Sequence, residues 1–284
     1  MQELMRIDIL VCPEHGEAVT GFLGLKLSCG WEEIERPDGS VLFRVHLESP
    51  LLAEQFITEL KACFPEVEIE QAQVEAKDWT FAWREFFTPV PIRNRFVVAA
   101  PWMEEARQAD KGGVTALIID PRMAFGTGHH ASTALCLEAV ADLAERGGLC
   151  PGKRFLDLGT GSGILAIACA KLDMTGVACD IDPLAVENAL YNREVNQVDG
   201  AVDIRLGSLD SVAGETFDCI LANILAGPLM DMAPGIIRCL KPGAHLILSG
   251  ILTTQAERVE AAFTAHGLPA AGHSRKDEWS ALIW

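Results

Sequence analysis

An apolar strand pattern at Arg154–Leu158 runs into Asp157-Leu-Gly-Thr-Gly-Ser-Gly163, and an apolar helix pattern follows from Ile164. Glycine at 159, 161 and 163 removes the Cβ where main chain must turn tightly and approach a ligand. The helix that follows directs unpaired N–H groups at the same place. A second strand pattern ends at Asp180 about one strand–helix unit later, where a carboxylate can accept hydrogen bonds from both hydroxyls of a ribose. Asp182 and Pro183 then open the next helix as N-cap and first helical residue, so Asp182 reads as structural and Asp180 as ligand-binding. Asp157 has two available roles: it anchors the loop, or it accepts a bond from a cationic amine of the ligand.

The spacing separates two classes of cofactor. Dinucleotide sites need G-x-G-x-x-G, and Ile164 stands where the third glycine would be. The Lys-Ser/Thr ending of a phosphate-cradling loop is also missing. A nucleoside without pyrophosphate is expected, which points to S-adenosylmethionine.

These residues need a scaffold, and the pattern supplies one. From Phe96 onward strands alternate with helices, which implies a parallel α/β sheet covered on both faces. Strands are expected at Phe96–Ala99, Thr115–Ile119, Arg154–Leu158, Gly176–Cys179, Val202–Leu206, Cys219–Ala222 and His245–Ser249, with Asp277–Trp284 as an added edge. Helices fit Thr133–Arg146, Ile164–Lys171, Pro183–Val195, Pro228–Leu240 and Gln255–His266. Residues 1–76 read differently, as β-α-β-β-α-β, the ferredoxin-like order, with Pro37-Asp-Gly-Ser40 as a turn between two strands. Between the two parts lies an aromatic connector, residues 77–93. Its Trp79, Trp83, Phe86 and Phe87 fall near helical spacing and are expected to pack rather than to bind a ligand.

Charge narrows the partners. The chain carries 23 basic and 40 acidic side chains, a net −17, and residues 1–76 hold five of the former against fifteen of the latter. Nucleic acid needs clustered cations, so it is not expected to bind directly; a basic protein suits this surface, and ordinary solubility charge is the plain alternative. Nine scattered cysteines, odd in number and never at Cys-x-x-Cys spacing, suggest neither a disulfide framework nor zinc. The histidines form no metal spacing, so no metal is expected. No apolar run approaches the roughly 18 residues that span a bilayer, and Met1–Arg6 opens no export signal, so a cytoplasmic protein is expected. The sequence is compatible with a monomer.

Three stretches together resemble the PrmA-type methyltransferases, which modify the large-subunit ribosomal protein L-eleven. Ala124-Phe-Gly-Thr-Gly-His-His-Ala-Ser-Thr133 is similar to the family's Phe-Gly-Thr-Gly-Thr-His-Pro-Thr-Thr loop, with His129 in place of Thr and Ala131 in place of Pro. Asp157–Gly163 with Asp180-Ile-Asp-Pro183 is similar to its cofactor motif, and Leu221-Ala-Asn-Ile-Leu-Ala-Gly-Pro228 to its Ala-Asn-Ile-Leu-Ala-Gly-Pro segment. The resemblance covers roughly residues 77–284. It implies a Rossmann-like, seven-stranded catalytic domain over residues 94–284 and a ferredoxin-like substrate-recognition domain over residues 1–76. It implies cofactor contacts at Thr133, Gly159, Asp180 and Asn223, beside the loop residues Asp157, Gly161 and Gly163.

The expected activity is S-adenosylmethionine-dependent N-methylation of lysine or N-terminal amines of that ribosomal protein. The alternatives are a methyltransferase of the same class with another protein or a small amine as acceptor, and a catalytically silent binding module. A lysine near pKa 10.4 must first lose its proton, at a cost of about 4–5 kcal/mol at pH 7. Asn223 follows a strand at the carboxyl end of the sheet, and its neutral amide can accept from an amine without trapping it as ammonium. The plain alternative for Asn223 is a turn or cap. His129 and His130 either shuttle a proton or cap and pack, and Thr127 and Thr133 either meet the cofactor or cap a helix.

Overall fold

The computed structural model describes residues 3–26, 31–36, 39–47, 50–75, 88–103, 113–120 and 130–284. Two compact units divide the chain, Met1–Phe87 and Thr88–Trp284.

The first unit contains β1 (Glu3–Val11), α1 (Gly16–Lys26), β2 (Glu32–Glu35), β3 (Val41–Leu47), α2 (Pro50–Cys63) and β4 (Glu68–Glu75). A 3₁₀ turn at Pro13–His15 leads into α1. The strands are antiparallel in the order β2-β3-β1-β4, as the ferredoxin-like reading requires. Alternation does the sorting. Ile7, Ile9, Val11, Phe43 and Val45 turn to one face and are buried with Val19 and Leu23 of α1 and Phe56 and Leu60 of α2. On the other face the cross-strand partners Asp8 and Arg44 form a two-pronged ion pair at 2.8 and 2.9 Å. Arg44 holds the Asp8 carboxyl below its usual range against the opposing effect of burial. Gly39 has φ +82° and closes the β2–β3 turn by donating to Arg36 O; Pro37 and Asp38 lie outside the described residues.

The second unit opens with a small sheet: β5 (Val90–Ile92), β6 (Phe96–Ala99) and β7 (Thr115–Ile118). Then come α3 (Ala131–Glu145), β8 (Arg154–Leu158), α4 (Ile164–Ala170), β9 (Thr175–Asp180), α5 (Pro183–Val195), β10 (Val202–Leu206), β11 (Phe217–Asn223), α6 (Ala226–Arg238), β12 (Leu240–Leu252), α7 (Ala256–Thr264), β13 (Gly272–Lys276) and β14 (Trp279–Ile283). The seven strands from β8 onward form one sheet in the order β10-β9-β8-β11-β12-β14-β13, parallel except for β14 and its antiparallel neighbours. Helices α3 and α4 cover one face and α6 and α7 the other.

Three expectations need correction. The Phe96 and Thr115 strands pair with each other and with Val90–Ile92, not with the large sheet. Asp277–Trp284 supplies an inner strand rather than an edge, because β13 pairs outside it. That outer strand, Gly-His-Ser-Arg-Lys, has no apolar alternation to announce it. The connector expected at 77–93 also contributes its last residues to β5, while Trp79, Trp83, Phe86 and Phe87 lie outside the described residues.

From β8 the chain winds outward through β9 and β10, then returns to the far side of β8 at β11. The connections leaving the carboxyl ends of β8 and β11 therefore run to opposite faces of the sheet, and open α/β sheets bind ligands at such a switch point.

Candidate active site

A cavity of about 440 Å³ lies at the carboxyl ends of β8, β9 and β11. Five of the seven expected site residues line it: Thr133, Gly159, Gly161, Asp180 and Asn223. Asp157 and Gly163 stand behind it.

The loop after β8 turns on three left-handed glycines, with φ of +75° at Gly159, +55° at Gly161 and +84° at Gly163. Other residues are strained there. Gly159 has a second constraint, since a Cβ would overlap the Ile224 side chain. Gly163 is the N-cap of α4, and a Cβ there would press on Ala189 of α5 at 3.3 Å. Its glycine answers to packing, not to the cavity.

Asp180 ends β9 with both carboxylate oxygens engaged by main chain: Gly161 N–H donates to Oδ2 at 2.9 Å and Asp182 N–H to Oδ1 at 3.0 Å. Each oxygen keeps a lone pair for a further donor. Asp182 caps α5 by accepting from Leu184 N at 2.9 Å, the structural role read from its position before Pro183.

Asp157 is wholly buried, and its bonds are those of a loop anchor. Oδ2 accepts from the Thr160 hydroxyl at 2.6 Å and from Ala166 N at 3.0 Å, while Oδ1 has no partner among the described residues. Burial pushes the carboxyl up from 3.8 to about 6, against the lowering effect of those two donors. Because the native value lies above the unfolded one, the group favours the fold when protonated. Its contribution is whole below about pH 4 and is lost as pH rises through about 6, a swing of about 3 kcal/mol. Compared with Asp157→Asn, which cannot ionise, the wild type is expected to lose relative stability between about pH 4 and about pH 7. Denaturant unfolding at both values measures this, and a difference that does not change with pH contradicts it.

Asn223 ends β11 one strand away from Asp157. Its Nδ2 donates to the Thr133 hydroxyl at 3.1 Å, while its Oδ1 is buried with no hydrogen-bond partner among the described residues. Buried acceptors are rarely left unpaired, and leaving one so costs about 1–3 kcal/mol. Thr133 is fully buried in the first turn of α3 and does not cap it; His130 does, with Nδ1 accepting from Ser132 N at 3.3 Å. The His130 ring also meets the Trp279 ring edge-on at 4.6 Å between centroids. Thr127 and His129 lie outside the described residues.

None of the remaining wall residues stood out as a ligand contact, although Ile181, Ile224 and Leu225 lie inside the motif stretches. Ile181, Ser208, Ile224, Leu225 and Met232 join the cavity. Ile181 is 78% exposed and Leu225 70%, which is unusual for large apolar side chains. Their only signal is position, since each follows the carboxyl end of a strand or faces one. Among the described lining residues Asp180 is the sole titratable group, and no Lys or Arg is present. A pyrophosphate would find no cation there, whereas a ribose finds a carboxylate. Among the described residues no group of His, Cys, Asp and Glu could hold a metal ion. The buried Cys179 thiol is pushed up to about 11 and that of Cys219 to about 12, both by burial, so neither is a nucleophile at neutral pH.

Residues 39–284 match the sequence profile of the ribosomal protein L11 methyltransferase (PrmA) family. The chain belongs to this family. The profile begins within the first unit and takes in all of the second, further toward the N-terminus than the motifs reach. A ribosomal protein L11 methyltransferase of Syntrophotalea carbinolica is 41% identical over 252 residues, 86% of this chain and 80% of that protein. Another, of Symbiobacterium thermophilum, is 42% identical over 211 residues, 74% of this chain and 66% of that protein. The crystal structure of a ribosomal protein L11 methylase of Lactobacillus delbrueckii subsp. bulgaricus superposes with a TM-score of 0.62 at 28% identity, covering 69% of this chain and 97% of that one. Among the described residues no helix is long and apolar enough to cross a membrane.

Proposed function

We propose that the chain is an S-adenosylmethionine-dependent protein N-methyltransferase whose acceptors are lysine or N-terminal amines of ribosomal protein L11. The observation that carries this is the buried Oδ1 of Asn223, an acceptor without a donor on the wall of a cavity that also holds Asp180. Membership of the PrmA family, and the relatives named for that reaction, support the substrate.

The residues fit the methyl donor. Asp180 keeps two lone pairs where a ribose diol would lie, Gly159 and Gly161 offer bare main chain, and Ile181 offers an apolar surface for a base. When bound, the donor supplies an electrophilic methyl group on a sulfonium. Asn223 Oδ1 would accept from an acceptor amine, while Nδ2 is held by the Thr133 hydroxyl. Being neutral, Asn223 would not hold the amine in its protonated form, so the lone pair of the neutral amine would stay available for the methyl group that the donor would supply. Catalysis of this kind is mainly orientation. Asp157 and Gly163 act from behind, holding the loop rather than touching ligand.

The first unit, whose residues 1–76 carry −10 of the chain's net −17, is the recognition domain in this reading, and its charge steers a basic protein toward the site. Cytoplasmic residence follows from that substrate. The test is incubation of the protein with labelled S-adenosylmethionine and the ribosomal proteins of its own cell, with the labelled species identified by mass. Label on L11, falling with added salt, is the expected result. Label on a different protein or a small amine would redirect the acceptor assignment, and no label at all would leave a binding module.

A further inference from the structure

Helix α5 and its C-cap bury three asparagines one turn apart: Asn188, Asn192 and Asn196 are 3%, 0% and 2% exposed. Most buried amides have their donors and acceptors met. Asn196 meets its own as a neighbouring strand would: Oδ1 accepts from Ile118 N at 2.9 Å and Nδ2 donates to Ile118 O at 2.6 Å. Asn192 does something different. Its Oδ1 accepts from Asp120 N at 2.9 Å, just beyond β7, and its Nδ2 donates to Ser162 O at 2.9 Å, inside the glycine loop.

Thr160, Gly161 and Ser162 are thus each held by a different side chain, from Asp157, Asp180 and Asn192 respectively. Ser162 is the residue most in need of an anchor. It sits between Gly161 and Gly163, both in the left-handed region, and glycine leaves the peptides around it the widest choice of conformation. Without a fixed Ser162 carbonyl the loop would sample other arrangements, and a ligand would have to order it on binding.

We propose that Asn192 is a positioning residue for the reaction: through Ser162 it locks the glycine loop in its binding conformation and ties it to the chain leaving β7. It touches neither donor nor acceptor. The inference rests on the reading that this cavity binds S-adenosylmethionine.

The comparison that isolates it is Asn192→Ala against Asn196→Ala, since both residues are buried and bonded to the β7 segment but only the first reaches the loop. Both variants should melt earlier than wild type. Asn192→Ala should weaken S-adenosylmethionine binding by about tenfold in calorimetry and raise the donor KM, with kcat changed far less. Asn196→Ala should bind within about twofold of wild type. In the ligand-free protein, amide hydrogen exchange over residues 161–164 should quicken in Asn192→Ala and not in Asn196→Ala. Should Asn192→Ala fail to fold, Asn192→Asp keeps the acceptor for Asp120 N–H but, when ionised, offers Ser162 O no donor, and the same losses are expected of it. Wild-type affinity and wild-type exchange in a folded Asn192 variant, or equal losses in the Asn196 variant, would overturn the proposal. Failure of the wild-type protein itself to bind S-adenosylmethionine would instead sink the cofactor assignment, while the exchange comparison still reads the anchor.

Discussion

Replacement of Asn223 by alanine is expected to lower turnover at saturating methyl donor by about 100-fold, the scale seen when a single preorganised polar group is removed from a reacting centre. The side chain has one oxygen and one nitrogen, and the nitrogen is already committed to Thr133. Only the oxygen is left to orient an amine, and it is buried, where water cannot stand in for it. Single-turnover measurements with bound donor separate this loss from any change in donor affinity. Near-normal turnover would remove Asn223 from the mechanism and leave it as a strand-end residue that pairs with α3.

Asp180→Ala should weaken the binding of S-adenosylmethionine by more than about 100-fold, because two hydrogen bonds to a carboxylate are lost together, each contributing about 1.5–3 kcal/mol. The same change also strips Gly161 N–H and Asp182 N–H of their acceptor, so the loop loses an anchor along with the ligand. Calorimetric titration reads the effect directly, and an unchanged dissociation constant would refute the ribose assignment.

Asp180 could be picked from the sequence because main-chain geometry advertises it, and Asn223 because its segment resembles that of the family. Three alternating glycines after an apolar strand mark a bend that other residues resist, and an acid one strand–helix unit later falls on the neighbouring strand's end by topology alone. The direction of a side chain is not advertised in that way. Asp157 could equally have faced the ligand, and only its bonds to Thr160 and Ala166 show it turned into the fold. Gly163 belonged to the glycine pattern, yet what its missing Cβ makes room for is Ala189 on another helix. Asn192 was invisible for a related reason: an asparagine in a helix of mixed polarity reads as solvated until the segment after β7 is seen lying against it.

The strand assignments failed where pattern and pairing part company. Phe96–Ala99 and Thr115–Ile118 are apolar enough for the main sheet but find partners in each other. Gly272–Lys276 is polar throughout and is held as a strand by its neighbour Trp279–Ile283. Ile181 and Leu225 look like core residues in the sequence, and their exposure becomes informative only once the cavity beside them is known.

Every described residue of the cavity wall falls between Thr133 and Met232, within a single unit of the chain. In the proposed reading, the described part of the grip on the methyl donor is encoded in one contiguous stretch of about a hundred codons, a length that sits inside ordinary domain sizes. In the proposed reading, drift in residues 1–87 changes which polypeptide is delivered and leaves those described wall residues as they are. In lineages whose ribosomal targets diverge, such an enzyme has room to change clients and keep its chemistry.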